Sequence, residues 1–350
     1  MPERLIQVLN AVGKPTEFYR SPDGSIALVL PYGGRVLGLF APQSEENFFW
    51  THSALASREL AQAFYDGNQW HNSGGDRTWL APEADFFFPD FPSTNKYWQP
   101  RELDPGNYQV ARTGDTLSLV NRLAPNLSRS KRKVALEITK ALTPAPNPLR
   151  YERSLPDLAG TEYAGYTLQT SLELLEAKDE EFVQVGLWNL LQLPPGGELL
   201  APTYARTQPK MILGTIPPGD LTVEENLIRY RMRAAGVQKL SLRAVTSTGR
   251  VGYLYPTGDR FALVVRNFFV NPSGEYIDVP WDDTGDLGYS IQACRVDNEF
   301  GNFSELEYHM PAIGRGTGRR RSEDTSQVWA FRGSREQIRS IVKTLLSVSA

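Results

Sequence analysis

Gly301-Asn302-Phe303-Ser304-Glu305-Leu306-Glu307-Tyr308-His309-Met310-Pro311 alternates polar and apolar residues from Glu305 to Met310. A period of two belongs to a β-strand, whose successive side chains point to opposite faces. The spacing predicts a strand that shows Glu305, Glu307 and His309 on one face and Leu306, Tyr308 and Met310 on the other. Three ionisable groups on one face suit a polar binding surface, and they equally suit the solvent side of an edge strand.

The same period recurs outward from this stretch. Short runs rich in β-branched or aromatic residues fall at 16–19, 26–30, 35–40, 108–113, 116–121, 134–141, 149–155, 164–174, 181–193, 211–215, 227–232, 240–245, 251–256, 261–270 and 289–296. Turn signals separate them, and 29 Gly, 25 Pro and 11% aromatics among 350 residues favour short strands over helices. Two helices are expected. Leu5, Val8, Leu9 and Val12 share one helical face before Gly13, and Ile338, Ile341, Val342 and Leu345 recur at helical spacing over 335–348 after an N-cap at Ser334. Pro144-Ala145-Pro146-Asn147-Pro148 is short and flanked by strands, so it reads as a loop within a domain. No repeat of about 40 residues argues for a propeller. The expected fold is all-β: a two-layer sandwich of about fifteen to twenty strands. It forms one domain over 1–350, with its core at 15–333 and a C-terminal helix at 334–348.

A net charge of -3 with interspersed signs offers no field for nucleic acid or an anionic membrane. The N-terminus has no apolar signal core, and no run of about 18 apolar residues occurs, so a soluble, cytoplasmic protein is expected. Cys294 is the single cysteine and there are three histidines, which excludes a disulfide framework and a dedicated zinc motif. Cys294 lies in a strand-like run and reads as a small buried hydrophobe. The basic runs at 129–133 and 315–321 read as solvated loops, as does Trp281-Asp282-Asp283-Thr284-Gly285-Asp286, which lacks the ligand spacing of a calcium loop. No nucleophile elbow, dinucleotide fingerprint or phosphate loop is present.

Chemistry concentrates in Trp70-His71-Asn72-Ser73-Gly74-Gly75-Asp76-Arg77-Thr78-Trp79-Leu80-Ala81-Pro82-Glu83. Gly-Gly allows positive φ and close approach to a ligand, indole faces bind sugar rings, and the charged groups fix hydroxyls. A buried turn with structural indoles and an internal Asp-Arg pair is the other reading. Tyr97 with Trp98, and Tyr163 with Tyr166, could extend a glycan platform or simply pack in the core.

Residues 74–83 and 303–311, together with Tyr32-Gly33-Gly34-Arg35-Val36-Leu37-Gly38-Leu39 and Gln327-Val328-Trp329-Ala330-Phe331, resemble the galactose-mutarotase-like (aldose 1-epimerase-like) superfamily over roughly 15–333. The resemblance implies a β-supersandwich with a sugar-binding cleft and no cofactor or metal. It also implies a reaction in which a glutamate takes the anomeric proton while a histidine protonates the ring oxygen. Matched by motif, the base is Glu307, and Arg77 is the arginine that binds sugar hydroxyls. The family's mid-chain histidine has no counterpart in Gly186-Leu187-Trp188-Asn189-Leu190-Leu191-Gln192. His71 is therefore the stand-in acid and His309 an alternative, neither of them a motif match. Asp76, Glu83 and Glu305 complete the expected polar contacts, with Trp70, Trp79, Trp188, Asn189 and Gln192 stacking on or hydrogen-bonding to the saccharide. An aldose epimerase, a non-catalytic carbohydrate-binding or sensing module, and a polar cleft used for protein assembly all stand open. The oligomeric state is open too.

Overall fold

The computed structural model describes residues 2–348 except 154, 156, 157, 281, 282, 284 and 287. These residues form twenty strands in two ten-stranded sheets, with every pairing between neighbouring strands antiparallel. The first sheet runs Glu17–Arg20, Ile26–Leu30, Arg35–Phe40, Asp76–Ala81, Gln184–Leu193, Gly301–His309, Tyr289–Asn298, Gln238–Arg243, Lys210–Leu213, and Ile313–Gly314 pairs beside Gln184–Leu193. The second runs Leu221–Val223, Leu227–Arg231, Glu198–Pro202, Arg250–Thr257, Arg260–Asn267, Arg321–Gly333, Glu162–Leu174, Leu136–Pro144, Thr116–Leu123, Gln109–Thr113. Their facing side chains, among them Leu187, Leu191, Leu306, Tyr166 and Val264, make the main core. The expected all-β sandwich is the observed one.

Helices cover the outer faces unevenly, and this positions the site. Arg335–Leu346 opens with a capping box: Gln337 N donates to Ser334 Oγ (3.2 Å) while Ser334 N donates to Gln337 Oε1 (2.9 Å). It lays Ile338, Ile341, Val342 and Leu345 on Leu263, Val265, Trp329 and Phe331 of the second sheet. At the other end of the chain, Glu3–Ala11 and Arg58–Asp66 pack Val8, Leu9, Ala61 and Tyr65 on Ile26, Leu28, Leu37 and Phe40. The strands beneath these helices are buried on both faces and lose the polar alternation, as Ile26–Leu30 and Arg35–Phe40 do. These two helices pack on the first strands of the sheet, and the cavity lies over the strands from Asp76–Ala81 onward, beside the short helix Glu83–Phe86. None of the described helices is long and apolar enough to cross a membrane.

One local expectation changes. Residues 149–155 are turn and irregular chain at their described positions, because Arg150 N bonds Asn147 O and Glu152 N bonds Leu149 O in place of a ladder. The 129–133 run is exposed loop as expected, with Arg129 Nη2 lying 2.6 Å from Asp85 Oδ2. Of the 281–286 loop, 281, 282 and 284 lie outside the described residues, while Asp286 accepts from Arg243 Nη1 at 2.6 Å.

Gly74 and Gly75 have φ of +105° and +76°. Their close approach is to the neighbouring backbone rather than to a ligand: a Cβ on Gly75 would lie 2.3 Å from Val36 O, and one on Gly74 2.3 Å from Trp50 O. Gly75→Ala therefore strains φ and forces Arg35–Phe40 away. It should lower stability by about 2–3 kcal/mol in urea denaturation, and a loss under about 0.5 kcal/mol would show that the strand can yield.

Candidate functional site

Gly301–His309 sits between Gln184–Leu193 and Tyr289–Asn298, so its polar face meets theirs. Glu305 stands opposite Gln192 and Cys294, Glu307 opposite Leu190 and Gln292, and His309 opposite Trp188. On the far side of Gln184–Leu193, Trp79 pairs with Trp188 and Arg77 with Leu190. Beyond Tyr289–Asn298, Lys239 pairs with Cys294. These faces floor a cavity of about 510 Å³ lined by Trp70, Arg77, Trp79, Glu83, Trp188, Lys239, Cys294, Glu305 and Glu307, with Phe88 and Tyr97 in its wall. Leu306 and Tyr308 point the other way, where the Tyr308 hydroxyl donates to Asp324 (2.7 Å).

Two charged groupings share the floor. In the first, Arg77 Nη2 lies 2.8 Å from Glu305 Oε1, which also accepts from Gln192 Nε2 at 3.1 Å. The Arg77 guanidinium lies 4.1 Å from the Trp79 ring centre and 5.3 Å from that of Trp70, and its Nε and Nη1 have no protein partner. In the second, Lys239 Nζ stands 3.6 Å from both Glu83 Oε2 and Glu307 Oε2 and 4.2 Å from the Trp188 ring centre. Glu307 Oε2 accepts from Trp188 Nε1 (2.8 Å), Oε1 has no protein partner, and Tyr97 donates to Glu83 Oε1 (3.0 Å).

Burial pushes the Glu307 carboxyl up to about 8, with Glu305 and Glu83 adding to the rise and Lys239 and Trp188 opposing it. Glu83 is raised too, again chiefly by burial, against the pull of Lys239. For Lys239 itself burial favours the neutral amine, but Glu307, Glu83 and Asp278 outweigh it and hold the ammonium well above the usual lysine range.

His309 is buried beneath Trp188, the rings stacked at 5.5 Å and 15°. Burial lowers its pKa to about 4, so it is neutral, and neither ring nitrogen has a hydrogen-bond partner. His71 lies outside the cavity lining: its Nδ1 is 2.6 Å from the Tyr32 hydroxyl and its Nε2 2.9 Å from Gly67 O, so both nitrogens are occupied. Strand alternation puts Asp76 and Asn189 on the opposite face of the sheet. There Asp76 binds Arg266 (2.8 Å) and the Tyr166 hydroxyl (2.6 Å), and Asn189 accepts from Thr78 (2.7 Å). Gln192 is on the cavity face but acts through Glu305. Of the expected site residues, Trp70, Arg77, Trp79, Glu83, Trp188, Glu305 and Glu307 are thus brought together, whereas His71, Asp76, Asn189 and His309 are not at the surface of the cavity.

Lys239 was missed by sequence reasoning. Alternation puts it on one strand face with Ser241, opposite the apolar Leu240 and Leu242, which marks a polar face without saying what that face meets. Cys294 Sγ and the carboxylates of Glu305 and Glu307 lie within 4.8 Å of one another, close enough to share an ion. Arg77 and Lys239 already give both carboxylates cationic partners. Burial, then Glu307 and Glu305, push the Cys294 thiol well up, so it stays protonated rather than nucleophilic.

An indole-walled cavity with paired carboxylates, set on one sheet of an antiparallel sandwich, has the shape and lining of a small-molecule pocket. The chain belongs to DUF6786, a family of unknown function, whose model matches residues 6–350. No curated protein matches it in sequence. Among solved structures it is similar to a galactose mutarotase related enzyme from Lactobacillus acidophilus, at 9% identity and a TM-score of 0.44, covering 91% of this chain and 97% of that one. It is also similar to galactose 1-epimerase from Lactobacillus acidophilus NCFM, at 8% identity and a TM-score of 0.39, covering 91% and 99%.

Proposed function

We propose that the cavity binds a saccharide and that Glu307 moves a proton at its anomeric centre, interconverting the anomers of an aldose. The observation that carries this reading is the state of Glu307: a buried carboxyl on the cavity floor, with one oxygen fixed by Trp188, the other without a protein partner, and a pKa of about 8. Acid-base catalysis is most efficient when the group titrates near ambient pH. Its carboxylate takes the proton from the anomeric hydroxyl as the bond from the anomeric carbon to the ring oxygen breaks and the aldehyde forms. The ring oxygen, now an alkoxide, is basic enough to take a hydrogen bond or proton from the Lys239 ammonium. Reclosure on the other face of the aldehyde returns both protons. The partly exposed Trp70 indole suits the apolar side of a pyranose, while Trp79 and Trp188, whose faces carry Arg77 and Lys239, wall the cavity, and the unpaired Arg77 donors suit sugar hydroxyls. The likeness of residues 74–83 and 303–311 to the mutarotase-like superfamily supports the same reading.

Saturation-transfer and exchange NMR with free hexoses, pentoses and their uronic and phosphorylated forms tests it, and anomer exchange above the buffer rate is expected. The second reading, a non-catalytic carbohydrate-binding module, is favoured by the lack of a histidine among the described residues that line the cavity. Binding without exchange would decide for it, and silence from every sugar would remove both.

A further inference from the structure

A smaller pocket of about 190 Å³ adjoins the main cavity, and Trp70, Tyr97 and Phe300 line both. All three rings are only partly buried and make the crest between the two. Beyond the crest the annex is lined by Trp98, Gln99 and Arg101. The Trp98 indole is 43% exposed, a large aromatic surface left in water beside a polar pocket, while its backbone N–H is fixed to Phe87 O at 2.8 Å. Gln99 is 7% exposed, and its Nε2 has no protein partner. On the crest the Trp70 indole N–H is a second buried donor without one. A buried donor left unpaired costs its full desolvation, and a bound acceptor restores it.

From this we infer that the annex is a second sugar subsite and that the ligand is a disaccharide or longer glycan, one residue in the main cavity and the next across the crest on Trp98. This deepens the saccharide reading above and rests on it. Aromatic platforms with scattered amide and indole donors suit a hydroxylated ring, whose oxygens accept from Gln99 and Trp70 and whose apolar face stacks on the Trp98 indole. His71 also borders the annex, but with both ring nitrogens engaged it serves as wall rather than as an additional donor.

Isothermal titration of the full chain with lactose, cellobiose, maltose and mannobiose, and with glucose, galactose and mannose, provides the test. At least one disaccharide should bind about tenfold more tightly than its own monosaccharides. Trp98→Ala, at an exposed position the fold does not need, should erase that gain and leave monosaccharide affinity within about twofold. If monosaccharides bind and no disaccharide exceeds them by about threefold, or if Trp98→Ala weakens both classes alike, the second subsite is overturned while the saccharide reading stands. If no sugar binds at all, the saccharide reading falls and the subsite with it.

Discussion

Glu307→Gln slows anomer exchange by at least about a hundredfold and leaves saccharide affinity within about threefold. The amide keeps the shape of the carboxyl and still offers an oxygen to Trp188 Nε1, so the floor stays packed, but it cannot carry a proton at any working pH. Wild-type exchange should rise with pH through a midpoint near 8 and level off above it, as the Glu307 carboxylate becomes the main form. The variant should show no such limb. Retention of full exchange would move the proton transfer to another group, with Glu305 the next to examine.

The same substitution has a stability signature. Between the ordinary value of 4.5 and about 8, folded Glu307 holds a proton that the unfolded chain has released, so its contribution to stability falls as pH rises. His309 runs the other way: between about 4 and 6.5 the unfolded chain is protonated and the buried ring is not, so stability rises with pH. The two slopes oppose each other from 4.5 to 6.5. Removing Glu307 takes away one of the two raised cavity carboxyls and leaves the histidine slope, up to about 1.4 kcal/mol per pH unit, opposed there by Glu83. The glutamine variant should then be more acid-labile than it is at neutrality, as read from urea midpoints at pH 5 and pH 7, and equal midpoints would deny the compensation.

Asp76→Ala should cost about 3–5 kcal/mol of stability with ligand affinity unchanged in the protein that folds. Asp76 is fully buried and holds the guanidinium of Arg266, itself inaccessible, at 2.8 Å. Without the carboxylate that cation keeps Ser326 Oγ at 3.3 Å, the ring of Tyr308, centred 4.8 Å away, and the more distant charge of Asp324, and the Tyr166 hydroxyl loses its acceptor. Asp76→Asn retains the volume and most of the hydrogen bonding but not the charge, so a loss of similar size there would assign the effect to the uncompensated guanidinium. A loss below about 1 kcal/mol in both variants would mean that water reaches the pair.

The strand at 301–309 was legible because alternation is local: three residues on one face follow from the period alone. That period also separates Asp76 from Arg77 and Trp188 from Asn189, since consecutive residues of a strand cannot share a face, and the sequence reading did not apply it to them. The order of strands across the sheet was not legible. Lys239 reaches Glu307 only because Gln238–Arg243 lies next to Tyr289–Asn298, a neighbour relation no local pattern encodes. The segment at 67–72 approaches the Gly-Gly turn from beside the cavity, which sequence proximity to Arg77 conceals; His71 is spent on Tyr32 and the Gly67 carbonyl as a result.

The floor of the cavity draws on Asp76–Ala81, Gln184–Leu193, Gln238–Arg243, Tyr289–Asn298 and Gly301–His309, five strands that no single stretch of chain supplies. A ligand seated there fastens early, middle and late parts of the polypeptide at once, so its binding energy is returned to the whole sheet and not to one loop. At a hundred times its dissociation constant such a ligand adds about 2.7 kcal/mol to global stability. A thermal-shift screen of glycans therefore reads the melting of the entire molecule, and the sugar that raises it most identifies itself before any assay for its chemistry exists.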